Sequence, residues 1–305
     1  MTIDFSQLTP KTVEFVLART NESGPFGEDL FFFIVSSDGL FRIASSEATS
    51  FFDWLKSFPD VAWENSIEAS LSTENRTFIL WRREGPPLLS EKRRASLKER
   101  LVGLLTRAGI NHDDAAVRSK ELIDRYQSPI RGYHTLQHIS HCLWELDRFP
   151  AKDFDRDLVE LAIWYHDAIY EPKSKRNEAE SAELMKQDLK GCDASKLERV
   201  SQMILATAHH LATEPMDKET QVLLDIDLSI LGQNPLDYDV YVQGVRHEYR
   251  NVSTPIFYYR RKKLLRKMMK SSLYKLDYFR AQYAEAAKSN LSRELSSWKY
   301  KWIPV

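Results

Sequence analysis

Two kinds of hydrophobic pattern divide this chain. Over residues 1–85, apolar runs and alternations fit strands at Leu30 to Val35, Leu40 to Ile43 and Thr77 to Trp81. Ser36, Ser37, Asp38 and Gly39 between the first two form a hairpin signal, because Asp-Gly supplies the positive φ angles a tight turn needs. The spacing of Phe51, Phe52, Trp54 and Leu55 predicts a helix with its aromatic stripe on a core and Ser45 or Ser46 as its cap. Together these elements predict a small α+β module.

The segment Glu84 to Ser90, EGPPLLS, reads as a boundary, since two prolines remove amide donors and restrict the residues before them. After it the apolar period becomes helical. Helices are expected at Lys92 to Ala108, Asp113 to Tyr126, His134 to Arg148, Asp155 to Ile169, Glu178 to Lys190 and Ser195 to Leu211. Two more follow at Asp237 to Tyr249 and Tyr258 to Trp298. The expected fold is an all-α helical domain over residues 90–305 behind the α+β module.

Composition narrows the classes of function. The chain has 305 residues, 43 Lys and Arg against 44 Asp and Glu, and a net charge of -1, so no overall field would hold it on nucleic acid or anionic lipid. Only two cysteines, Cys142 and Cys192, are present, which fits a reducing compartment, and no apolar run approaches the length of a membrane span. A cytoplasmic protein without a membrane or nucleic-acid polymer partner is expected. Nothing in the sequence addresses the oligomeric state.

Candidate chemistry sits in the helical part, where six of the eight histidines fall between His134 and His210. In YHTLQHISH, residues 134, 138 and 141 are spaced so that a helix would present all three imidazoles on one face, and neutral imidazole is a common metal ligand. His166 and Asp167 adjoin each other in an apolar helix, where an unpartnered carboxylate is costly to bury. Asp225 and Asp227 interrupt the apolar run from Val222 to Leu231, and on a helix they point about 200° apart, so only one can face a shared site.

The ordered set of His138, His166 with Asp167, and Asp227 on a helical background resembles the HD superfamily of metal-dependent phosphohydrolases. YHTLQHI, AIWYHDAIY, NEAESA, ATAHH and DIDLSILG are similar to its bacterial branch of predicted HD phosphohydrolases, over about Leu97 to Leu295. The resemblance implies an HD-domain helical bundle in which His138, His166, Asp167 and Asp227 bind a divalent metal. It selects His138 over His134 by likeness to cyclic-nucleotide phosphodiesterases, in which the first histidine of such a pair is a general acid, and selects Asp227 over Asp225 by likeness to DxD segments. It therefore implies catalytic roles for His134, Asp167 and Glu178. His209, His210 and Glu178 either extend the site to a second metal or hydrogen-bond the ligands from outside.

A set of two imidazoles and two carboxylates suits Mn, Fe, Co, Ni, Zn or Mg and not a thiol-seeking ion. Such an ion lowers the pKa of water toward 7 and polarises a phosphoryl oxygen. Lys173, Lys175 and Arg176 form a basic loop just after the HD pair, either solvated or holding phosphate beside a helix amino end. YYRRKKLLRK carries Arg260 and Arg261, which helical spacing places on a polar face and the resemblance places near the pocket. Arg246 and Glu248 either pair or reach substrate. The expected function is hydrolysis of a phosphoester or phosphoanhydride of a small nucleotide or other phosphorylated metabolite. The alternatives are a hydrolase of signalling nucleotides, such as a cyclic dinucleotide or alarmone, and a non-catalytic metal- or ligand-binding HD protein.

Overall fold

A computed structural model of the protein describes residues 3–21, 30–37, 39–212 and 216–296. The first part forms an antiparallel sheet of β1 (Val13–Thr20), β2 (Leu30–Ser36), β3 (Gly39–Arg42) and β4 (Thr77–Arg82) in the order β3-β2-β1-β4. The last three are the strands expected from the sequence. β1 is additional, and its central position explains why: with a neighbour on each edge, Val16, Leu17 and Ala18 are all buried, so no apolar–polar alternation marks it. β2 and β3 pair as a hairpin with Ser36 opposite Gly39, whose φ of 133° is one glycine adopts readily. Asp38 of the turn lies outside the described residues.

Helix α1 (Ala48–Leu55) buries Phe51 and Leu55 in a cluster with Val16, Ile34 and Leu80, while Phe52 and Trp54 pack at its margin. A serine does not cap it. A 3-10 turn over Ser45–Glu47 leads into the helix, and Glu47 takes the cap position with its carboxylate accepting instead from the amides of Ile3 and Ala44. Helix α2 (Trp63–Leu71) is the second addition; Ile67 and Leu71 are exposed on it, so no single buried stripe announces it.

By its internal contacts the chain divides between Ser96 and Leu97, within α3 (Glu91–Arg107) and downstream of the two prolines. The remaining helices are α4 (His112–Arg125), α5 (Leu136–Arg148), α6 (Arg156–Tyr165), α7 (Asn177–Asp188), α8 (Ala194–Ala206), α9 (Lys218–Asp227), α10 (Pro235–Glu248), α11 (Thr254–Met269) and α12 (Asp277–Ser296). Their starts are set locally: Asn111, Asp155, Asp193, Asp217 and Asn234 each accept a first-turn amide at the cap position. The apolar stripes of α3 and of these helices bury Leu101, Leu104, Leu143, Val159, Ile163 and Leu224 in the core. No helix among the described residues is long and apolar enough to cross a membrane.

Two helices differ from the sequence expectation in ways that shape the site. α5 begins at Leu136 with Thr135 capping it, so His134 lies before the helix and is not part of its stripe. The long helix expected from Tyr258 to Trp298 is two helices, α11 and α12, and Trp298 lies outside the described residues. Asp225 explains the break. Its buried carboxylate accepts from the Lys275 amide at 2.7 and 3.0 Å and from the Leu276 amide at 2.7 Å, bonds a continuous helix would not leave free. Tyr274 in the same turn is buried and donates to the Leu228 carbonyl.

Candidate metal centre

Four side chains from three separate stretches converge. His138 stands in the first turn of α5, His166 caps the end of α6, Asp167 follows it, and Asp227 ends α9. His138 Nε2 lies 3.2 Å from His166 Nε2, 3.2 Å from Asp227 Oδ1 and 3.7 Å from Asp167 Oδ2. His166 Nε2 lies 3.1 Å from Asp167 Oδ2 and 3.7 Å from Asp227 Oδ1. His166 Nδ1 donates to the Ile163 carbonyl at 2.9 Å, which turns Nε2 toward the cluster. His210 Nε2 meets the outer oxygen of Asp227, Oδ2, at 2.6 Å.

This donor set fits a divalent cation. An ion about 2.1 Å from each donor sets neighbouring donors about 3.0–3.4 Å apart, and the measured separations lie within a few tenths of an ångström of that range. His138, His166 and Asp227 form a group that could hold a metal ion. Burial depresses the basicity of His138, which favours the neutral ligand form. Burial alone would raise the Asp227 carboxyl, but the hydrogen bonds from His138, His166 and His210 outweigh it and hold the group low.

His134 occupies the loop that leads into α5, and the loop is fixed by one carboxylate. Glu248 Oε1 accepts from the amides of Gly132, Tyr133 and His134 at 2.9, 2.8 and 2.9 Å, while Oε2 meets His134 Nδ1 at 2.8 Å and the Tyr170 hydroxyl at 2.7 Å. Such an approach requires two glycines. A Cβ on Gly132 would lie 2.4 Å from the Gly244 carbonyl oxygen, so only bare backbone lets α10 bring Glu248 this close. Arg131 braces the loop from behind, donating to the carbonyls of His134 and Ala168. Burial works against a charge on His134, but Glu248 prevails and raises it to about 9; burial likewise opposes the Glu248 charge, yet His134 holds it down at about 2.

The sequence does not single out Glu248 for this work. It pairs with His134 and the loop amides, while Arg246 bonds the Tyr249 carbonyl and the Thr254 hydroxyl, so Arg246 and Glu248 do not pair with each other. Glu145 and Glu178 are elsewhere: Glu145 faces His141, and Glu178 sits half-buried in the first turn of α7. Of the three histidines expected on one helix face, only His138 serves the cluster from α5. His141 turns into a separate buried network with Glu145, Ser229 and Gln233, each contact 3.3 Å from its Nε2.

A cavity of about 590 Å³ opens beside the cluster, with His134, His210 and Asp227 in its wall. Lys173 and Arg260 line it and make no ion pair with the described residues. Arg261 also lines it but is committed, bridging Glu294 at 3.1 Å and the Tyr241 hydroxyl at 3.0 Å. Lys175, Arg176 and His209 are exposed and outside the cavity lining, with Arg176 on Glu180 at 3.3 Å. Glu178 does not line it either. No family model, no curated protein and no solved structure matches this chain.

Proposed function

We propose that this protein is a metal-dependent phosphohydrolase of the HD type, acting on a small phosphorylated molecule. One observation carries the reading: two imidazole nitrogens and two carboxylate oxygens 3.1–3.7 Å apart, at the wall of a cavity that also holds two cations without an ion pair among the described residues. His138, His166, Asp167 and Asp227 hold the ion, and His210 steadies Asp227 from outside. A divalent ion bound there supplies a lowered pKa for water and a polarised phosphoryl oxygen.

The chain's own residues do the rest. Lys173 and Arg260 attract the phosphate dianion and orient it, as point charge and fork respectively. His134 keeps its proton at neutral pH because Glu248 holds Nδ1, and its Nε2, which has no partner among the described residues, faces the cavity. It gives that proton to the departing oxygen, and Glu248 stabilises and orients the ring throughout. The apolar walls exclude competing water. Elemental analysis of the purified protein, with turnover of phosphomonoesters, phosphodiesters and nucleoside triphosphates across several divalent metals, tests the reading. Bound metal with phosphate release is the expected result; full occupancy with no turnover of any ester would leave a binding protein.

A further inference from the structure

Among the described residues, the cavity wall contains no serine, threonine, asparagine or glutamine. Most of its lining residues are aliphatic or aromatic, among them Leu228, Ile230, Val245, Val252, Phe257 and Met268. The charged or titratable groups of the wall, tyrosines aside, are His134, His210, Asp227, Lys173, Arg260 and Arg261. Of the four tyrosine hydroxyls of the wall, two are engaged, Tyr170 donating to Glu248 and Tyr241 accepting from Arg261, while that of Tyr249 has no hydrogen bond to the described residues. The Tyr133 hydroxyl is buried without a partner, and its ring lies 4.8 Å from that of His138, on the metal side.

A sugar or a nucleobase brought into such a wall would lose water from its hydroxyls and ring nitrogens and find few side-chain partners. Each polar group left so costs about five- to 150-fold in affinity. A hydrocarbon gains where the sugar loses, by about fourfold for each methylene removed from water. We propose that the cavity takes the organic part of a phosphomonoester of an apolar alcohol, aliphatic or aryl, with its phosphate between Lys173, Arg260 and the metal-binding cluster. This rests on the phosphohydrolase reading and names its substrate class. The oxygen of water bonds to phosphorus, the bond from phosphorus to the alcohol oxygen breaks, and that oxygen takes the proton from His134; one proton of the water stays on the phosphate and the other is lost to solvent, from which His134 is reprotonated. Inorganic phosphate and the free alcohol leave.

The test separates binding from turnover. Calorimetry of the full chain with methyl-, butyl- and octylphosphonate, which cannot be hydrolysed, reads the cavity without any reaction. Affinity is expected to rise about three- to fourfold per methylene until the cavity is filled, and adenosine 5′-monophosphate is expected to bind more weakly than octylphosphonate. Flat affinities along the series, or tighter binding of the nucleotide, would overturn the proposal. Val252→Trp, which fills part of the wall, is expected to collapse the ratio of octyl to methyl affinity; an unchanged ratio would place the chain elsewhere and count against it. Turnover of the matching alkyl phosphates with metal is scored separately. If no ester of any kind is cleaved, the phosphohydrolase reading fails while the phosphonate series still decides the binding class.

Discussion

Helix α5 supplies one histidine to each of two buried clusters, and the two differ in how their polar atoms are met. Around His141, donors and acceptors alternate: Glu145 Oε1 accepts from the Tyr283 hydroxyl at 2.7 Å and from Gln233 Nε2 at 3.0 Å, and Ser229 closes the set by donating to the Ile226 carbonyl. Among the described residues of that cluster, only Glu145 Oε2 is left without a partner. Around His138, by contrast, two imidazole nitrogens and two carboxylate oxygens crowd within 3.1–3.7 Å of one another, His166 Nδ1 is engaged by a backbone carbonyl, and the cluster borders a cavity. Burial costs both clusters the solvation of their polar atoms, but the first recovers it with internal hydrogen bonds and the second needs a cation or shared protons. The same residue types on one helix thus build a hydrogen-bonded network at one point and a group that could hold a metal ion a turn away.

The sharpest way to break this contrast is to remove a ligand. His166→Ala and Asp167→Ala are each expected to lose bound metal and all measurable turnover together, because a four-donor site missing one donor loses affinity and order. Full occupancy by elemental analysis in both variants would void the site. Asp227→Asn is expected to follow them, whereas Asp225→Asn should keep its metal and lose stability through the Lys275 and Leu276 amides it serves. Equal metal loss in the two aspartate variants would reverse the distinction between them.

His134→Asn comes next in size. Metal content should be unchanged while turnover of esters with poor leaving groups falls by roughly 10² to 10⁴, with activated aryl phosphates affected much less. A loss that is the same for both kinds of leaving group would assign His134 a bracing role. On the structural side of the comparison, Tyr283→Phe should retain metal and cost about 1–3 kcal/mol by leaving Glu145 short of a donor. Thermal denaturation would register this as a drop of about 2–4 °C per kcal/mol, and metal loss in this variant would mean that the two clusters are not independent.

The smallest effect concerns pH. The folded pKa of His134, about 9, lies above its ordinary 6.5, so the stability from its charge is fully present below 6.5 and disappears as pH rises through about 9. The folded pKa of Glu248, about 2, lies below its ordinary 4.5, so its share is present above 4.5 and disappears as pH falls through about 2. The pair is therefore worth most between 4.5 and 6.5. The melting-temperature gap between the unaltered protein and His134→Asn should be widest near about pH 6 and shrink by about pH 9.5. A gap that does not change with pH would mean that no charged pair forms.

Much of this protein is legible in its sequence alone. Helical periodicity after Ser90 and the strands at Leu30, Leu40 and Thr77 follow from local spacing, because burial of one face imposes a period on the residues themselves, whereas the set of His138, His166, Asp167 and Asp227 is picked out by its resemblance to the HD superfamily. Periodicity is silent where burial is two-sided, as in β1, and where a helix exposes its apolar residues, as in α2. It also cannot see partners far along the chain. Thr135 caps α5, which starts at Leu136 and leaves His134 outside; Asp225 breaks a helix some fifty residues downstream by taking the Lys275 amide; and Glu248 reaches the loop at His134 across 114 residues through two glycines. Which of two aspartates faces the site, which of three histidines leaves it, and which carboxylate holds His134 are long-range hydrogen-bonding decisions. Residue order sets the chemical inventory, and only packing determines which lone pairs are left without a donor.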